Sequence, residues 1–170
     1  MTAAQALTPQ RALFRLDDKV AVVTGAAGHL GKAIATGLAE VGGHVCLVGR
    51  TEATVAALAK ELTGRGLKAE AQVCDVTKAD QIKALVDRLG TRWGRLDVLV
   101  NNAHAGRAGV MADSHKADYV SAIEIAVAAA AELVNEGHVL LKAAAVQNGD
   151  AAVINISSMY GMVSPDPRVY

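Results

Sequence analysis

Aromatic side chains are scarce in this 170-residue sequence: one Phe, one Trp and three Tyr make up 3% of it. An excess of either charge is missing too, since 17 Lys and Arg balance 17 Asp and Glu for a formal net charge of zero. A nucleic-acid-binding surface needs a basic face or a set of stacking aromatics, so no nucleic-acid partner is expected. No apolar run reaches the roughly 18 residues of a membrane-spanning helix, so no membrane partner is expected either. The opening stretch MTAAQALTPQRALFRLDDK lacks the apolar centre of a signal peptide. Residues 1–17 are read as a flexible lead-in, and the location as cytoplasmic. The two cysteines, Cys46 and Cys74, each sit in an apolar run. They are read as buried free thiols in a reducing cytosol, with a disulfide as the alternative.

What the sequence does contain suits a packed core. Hydrophobic residues make up 52% of it and charged residues 20%, a balance that excludes general disorder. A chain of this length forms one domain and buries roughly 70% of its unfolded surface. Apolar, β-branched runs recur at Val20 to Val23, Val45 to Val48, Ala69 to Val73, Leu96 to Val100 and Ala152 to Ile156. Helical patterns separate them, at Leu30 to Val41, Glu52 to Thr63, Lys78 to Trp93 and an Ala-rich stretch from Lys116 to Val146. Continuous apolar strands alternating with helices predict a parallel sheet covered on both faces. The fold class is therefore doubly wound, Rossmann-like α/β over residues 18–170. The interval before the last strand holds Asn101 to Asp113, rich in Gly, Ala and Asn. It reads as a loop at the carboxyl end of the fourth strand, where such folds bind ligands.

The first strand runs into Thr24-Gly25-Ala26-Ala27-Gly28-His29-Leu30-Gly31, and a helix follows. A phosphate cradle belongs at this place. Gly25 and Gly28 permit a tight turn and close approach to a diphosphate, and Gly31 permits close packing of helix on sheet. The helix start supplies unpaired N–H groups and about half a positive charge. A glycine-rich turn alone is a weak signal, but the strand before it and the helix after it point to nucleotide binding.

Residues 24–31 resemble the T-G-x-x-x-G-x-G turn of short-chain dehydrogenases/reductases. Asp75-Val76 and Asn101-Asn102-Ala103 resemble that family's D-V and N-N-A-G elements, and Ile154 to Ser158 resembles its serine-bearing fifth strand. The resemblance implies strand order 3-2-1-4-5 and a dinucleotide held by Thr24, Gly25, Ala27, Gly28, His29, Leu30, Gly31, Asp75, Val76, Asn102 and Ala103. His29 stands where the family has its middle glycine, which implies altered phosphate contacts with binding retained. His104 stands where N-N-A-G has its glycine. Both histidines are read as loop substitutions rather than as acids or metal ligands, and no metal site is expected. Asp75 is also open to a reading as a helix cap before Thr77, and the Asn pair to one as a loop former.

NAD-specific members of the family place an acid at the end of the second strand. This chain has Gly49 there with Arg50 next, and a guanidinium grips a 2′-phosphate through charge-assisted hydrogen bonds. NADP is the expected cofactor, with NAD as the alternative. A solvated helix-start arginine is the other reading of Arg50.

The family passes a hydride between the nicotinamide and a carbonyl or alcohol carbon. Its tyrosine exchanges the proton, a lysine four residues on lowers that tyrosine's pKa, and a serine orients the substrate oxygen. Ser158 matches the serine, with local backbone satisfaction as the other reading. Tyr170, the last residue, follows Ser158 at close to the family's usual interval, but the loop from Ser158 onward resembles that of members whose catalytic tyrosine comes later; a later tyrosine is read as the base, with Tyr170 as the alternative. The Tyr-x-x-x-Lys pair is therefore incomplete. Ala126 aligns with an asparagine that anchors a relay water in many members. The resemblance also implies two more strands, with homo-oligomers in full-length forms. The sequence is accordingly expected to be a fragment or truncated homologue, inactive alone and marginally stable. Three functions compete: an NADP(H)-dependent oxidoreductase of small carbonyl or alcohol substrates, a non-catalytic dinucleotide-binding module, and a remnant.

Overall fold

A computed structural model describes residues 14–105 and 113–158. The strands are β1 (Val20–Thr24), β2 (His44–Gly49), β3 (Ala69–Val73), β4 (Val98–Asn101) and β5 (Ala152–Asn155). Between them lie α1 (His29–Glu40), α2 (Glu52–Gly64) and α3 (Ala79–Trp93). A long helical run then comprises α4 (Lys116–Ile123), a π-helical stretch (Glu124–Ala128) and α5 (Ala129–Asn148). All pairings are parallel, and the order is β3-β2-β1-β4-β5, as the resemblance implied.

Side chains alternate across a strand, and here both faces of the central strands are apolar. Val20 and Val22 of β1, with Cys46 and Val48 of β2, pack against Ile82, Leu85 and Leu89 of α3 and Leu133 and Leu140 of α5. Ala21 and Val23, with Val45 and Leu47, pack on the other face against Ala35 and Ala39 of α1 and Leu58 and Leu62 of α2. That two-sided burial is why β1 and β2 read as unbroken apolar runs. Among the described residues β5 lies at the sheet edge and is exposed along its length.

Two elements depart from the sequence reading. The strand expected from Leu96 begins at Val98, because the Leu96 N–H turns to the Leu140 carbonyl of α5 at 3.1 Å. The long helix is not uniformly α-helical: the Ala129 N–H bonds the Glu124 carbonyl, five residues back. No Pro or Gly occurs at that stretch, so composition did not announce it. Beyond the wider turn, the buried face continues through Ala129, Leu133, Gly137, Leu140 and Ala144.

Opposite the carboxyl ends of the strands, Asp97 ties the sheet together. Its side chain is 3% exposed. It accepts hydrogen bonds from the Val20 N–H at 2.8 Å, Arg95 Nε at 2.9 Å and Asn148 Nδ2 at 2.7 Å. The start of β1, the start of β4 and the end of α5 therefore share one buried carboxylate. Asp97→Ala should lower the unfolding free energy by about 3 kcal/mol, because it strands a buried N–H and a partly buried guanidinium. Denaturant titration measures this, and a loss under about 1 kcal/mol would refute the shared clamp.

Both cysteines are free and buried. Cys46 sits opposite Glu70 in the β2–β3 register, whereas Cys74 follows the end of β3. Burial pushes the Cys74 thiol up to about 11, against a smaller opposing pull from Arg88. Burial, helped by Glu70, pushes the Cys46 thiol higher still. The thiolate is the reactive form, so thiol reagents at pH 8 should label both slowly in the folded chain and rapidly in denaturant. Fast native labelling of Cys46 would contradict this packing.

Candidate functional site

The site begins where β1 ends. Gly25 has φ 62, the left-handed region that favours glycine, and a Cβ there would come 3.0 Å from Ala103 Cα. A Cβ on Gly31 would come 2.2 Å from the Gly25 carbonyl oxygen and 2.8 Å from Asn102 Nδ2. These two glycines let the turn after β1 nest against the loop after β4.

Thr24 locks that nest. Its hydroxyl donates to the Val100 carbonyl at 3.2 Å and accepts from the N–H groups of Asn102 at 2.9 Å and Ala103 at 3.0 Å. Asn102 Nδ2 donates back to the carbonyl of Thr24 at 2.9 Å. Thr24 is buried and stands behind the cleft wall. Asn101 is also buried, and its Nδ2 donates to Asn155 Oδ1 at 2.9 Å, joining β4 to β5. Its Oδ1 has no partner among the described residues.

Gly28 caps α1 without a side-chain hydrogen bond, and the first turn carries no acid. The first intrahelical bond there runs from the Lys32 N–H to the Gly28 carbonyl at 2.8 Å. The earlier N–H groups of α1 therefore lack an intrahelical partner, and they carry the helix's partial positive charge.

A cleft of about 410 Å³ opens over this turn. Gly25, Ala27, Gly28, His29, Leu30 and Gly31 form one side. Arg50, after β2, forms the second with Gly49, and Asn102 and Ala103 form the third. Asp75 and Val76 line an adjoining cavity of about 130 Å³, shared with Arg50 and Ala103. The structure thus gathers at one sheet end all the expected cofactor residues except Thr24, which supports the wall from behind. Ser158 lies past the carboxyl end of β5 and is exposed; it lines neither cavity. Tyr160 and Tyr170 lie outside the described residues.

Asp75 does not cap α3, whose N-cap is Lys78. Its carboxylate instead accepts from the N–H and hydroxyl of Thr77 at 3.0 and 2.9 Å, closing the turn that leads into the helix. Burial opposes its charge, but these two hydrogen bonds, with Arg50 and Lys78 nearby, outweigh it and hold the carboxyl below the usual carboxylate value. Among the described residues no group of three His, Cys, Asp or Glu could hold a metal ion, and no helix is long and apolar enough to cross a membrane.

The model of the family described as short chain dehydrogenase matches residues 19–169. The chain belongs to that family. A 3beta-hydroxysteroid dehydrogenase of Mediterraneibacter gnavus is 33% identical over 149 residues, which cover 87% of this chain and 52% of the relative. A gluconate 5-dehydrogenase from Burkholderia cenocepacia, solved with NADP and tartrate, superposes with TM-score 0.78 at 27% identity, over 92% of this chain and 60% of that one. A 7 alpha-hydroxysteroid dehydrogenase solved with NADH and 7-oxo glycochenodeoxycholic acid superposes with TM-score 0.80 at 28% identity, over 96% of this chain and 62% of that one. The chain therefore spans a little over half the length of these short-chain dehydrogenases.

Four further residues line the cleft and were not among the expected cofactor contacts: Gly49, Thr51, Thr54 and His104. The threonines follow the second strand at a helix start, a place that carries no motif of its own. His104 was visible only as a departure from glycine.

Two substitutions test the nest. Thr24→Val should cost about 2 kcal/mol by leaving the Asn102 and Ala103 N–H groups without their acceptor. Gly31→Ala should cost about 1–3 kcal/mol through overpacking against the Gly25 carbonyl. Thermal melts measure both, and a neutral Gly31→Ala would show that the start of α1 does not press on the Gly25 carbonyl.

Proposed function

We propose that the chain binds NADP(H) and forms the cofactor-holding part of an oxidoreductase that interconverts a small carbonyl compound and its alcohol. The observation that carries this reading is the cleft itself: its lining contains no carboxylate among the described residues, it opens over a helix start without a side-chain cap, and Arg50 stands at one side. That donor set suits a phosphate-bearing dinucleotide. The N–H groups of the α1 turn would hold the diphosphate, Arg50 the 2′-phosphate, and Asp75 with Val76 the adenine end. The bound dinucleotide would supply or accept the hydride. Ser158 would orient the substrate oxygen from the end of β5. NAD is a second cofactor reading, favoured by the NADH-bound neighbour; Gly49-Arg50, in place of an acid, favours NADP.

The 170 residues contain no Tyr-x-x-x-Lys, so a non-catalytic dinucleotide-binding module is the alternative function. Under either reading this chain alone should bind cofactor without turnover. A tyrosine near its ordinary pKa is a poor proton donor or acceptor at neutral pH without a nearby cation.

Titration of nicotinamide fluorescence tests the binding. NADPH should bind, and Arg50→Ala should weaken it by about tenfold to a hundredfold while leaving NADH within about twofold. Equal loss of both cofactors would remove the 2′-phosphate role from Arg50. No binding of either would overturn the reading. Loss of nicotinamide absorbance with a panel of ketones would restore catalysis to the chain as it stands.

A further inference from the structure

A second pocket lies at the opposite end of the sheet from the cofactor cleft, at the amino ends of β2 and β3. Its volume is about 180 Å³, and a cavity of roughly 150 Å³ is enough to take one benzene ring. Val45 and Leu67 give it an apolar lining, and Trp93, the only tryptophan of the sequence, gives it an aromatic one. The His44 and Trp93 rings are 6.4 Å apart between centroids and tilted by 54°, within the range of aromatic pairs. Burial, together with Lys68 nearby, holds His44 below its ordinary value, so at neutral pH it contributes a ring and little charge.

Lys68 and Arg92 also line this pocket. Arg92 is held by two contacts: its guanidinium carbon lies 4.7 Å from the Trp93 ring centroid, and its Nη1 pairs with Glu70 Oε2 at 3.0 Å. A guanidinium carries five donors, and one held in this way is preorganised for an anion. We propose that this pocket binds a single-ring aromatic carboxylate, with the ring beside Trp93 and the carboxylate facing Lys68 and Arg92. The pocket shares no lining residue with the cofactor cleft, and the proposal does not rest on the cofactor reading.

Three features oppose an anion here, and each is offset. Glu70 is the one carboxylate in the lining among the described residues, and it is engaged by Arg92 and by Gln72 Nε2 at 2.6 Å. Asp18 approaches Lys68 only to 3.9 Å, is almost fully exposed, and does not line the pocket. Both α2 and α3 end on this side, and a helix end carries partial negative charge. Their last carbonyls are turned back onto the chain. Thr63 and Leu62 accept from the N–H groups of Gly66 and Leu67 at 2.9 and 3.1 Å, and Gly90 accepts from Gly94 at 3.0 Å. Two cations against one paired carboxylate therefore set the sign of the pocket. A cationic ligand would meet both of them, and a neutral ring would leave them unused.

The experiment is a titration of the full chain with benzoate at about pH 7.5, read by the NMR signal of the Trp93 indole N–H, the single indole of the sequence. Benzoate should shift that signal saturably, with a dissociation constant on the order of 1 mM. Benzyl alcohol keeps the ring without the charge, and cyclohexanecarboxylate keeps the charge without the aromatic ring. Each should bind about three- to tenfold more weakly. Lys68→Gln should weaken benzoate by about three- to tenfold and leave benzyl alcohol within about twofold. Arg92→Gln repeats the test from the α3 side if the first variant folds poorly. Lys83→Gln removes a charge from α3 outside the pocket and should leave benzoate binding unchanged. No saturable shift by about 20 mM benzoate, equal affinity for benzoate and either analogue, or equal losses in Lys68→Gln and Lys83→Gln would each overturn the proposal.

Discussion

The contact between the Gly25 turn and the loop after β4 is the constraint on which the rest of the site depends. A methyl group at Gly31 would fall 2.8 Å from Asn102 Nδ2, and one at Gly25 would fall 3.0 Å from Ala103 Cα, so the two loops are at van der Waals limit. That closeness lets one buried hydroxyl, on Thr24, serve Val100, Asn102 and Ala103 together. It also fixes where α1 begins, and hence where its unpaired N–H groups point. Cleft shape and cleft polarity thus follow from one steric fact, and a residue without a side chain is what permits it.

The sheet beneath has its own logic at each end. At the amino ends of β1 and β4, the Asp97 carboxylate gathers donors from Val20, Arg95 and Asn148. A buried charge is tolerated only when paired and hydrogen-bonded, so this end is closed by construction. At the carboxyl ends the chain instead opens a cleft lined by the start of α1, whose first N–H groups lack an intrahelical partner, and by Arg50 after β2. Parallel strands place all their carboxyl ends together, which is why loops distant in sequence meet in a single cleft.

Much of this was legible in the residues. Two-sided burial leaves unbroken apolar runs, so β1 and β2 announced themselves, and the helices between them followed from period. The glycine turn was legible because its steric demand excludes other residue types. What was not legible came from contacts between distant segments. Leu96 reads as the first residue of a strand, yet its N–H is taken by Leu140, a partner far along the chain. Asp75 looked like a helix cap from its place before Thr77, and it closes the preceding turn instead. Thr51 and Thr54 reach the cleft only because β2 and β1 are neighbours in the sheet, which no local pattern encodes.

The π-helical stretch shows how such a hidden feature bears on the site. A bond spanning five residues widens one turn and resets the face that the helix presents beyond it. Such turns often occur at functional positions. Ile125 and Ala126 of this stretch line a small interior cavity of about 30 Å³, together with Asn101 and His104. Asn101 Oδ1 has no partner there among the described residues, and the Ala126 side chain has no hydrogen-bond donor to offer it. A buried acceptor of this kind carries a desolvation cost of about 1–3 kcal/mol. Farther along the same helical run, α5 is tied to the sheet by the hydrogen bond that the Leu140 carbonyl accepts from the Leu96 N–H. Binding geometry in this chain is set by the loops after β1 and β4, and the long helix packs against a frame they have already determined.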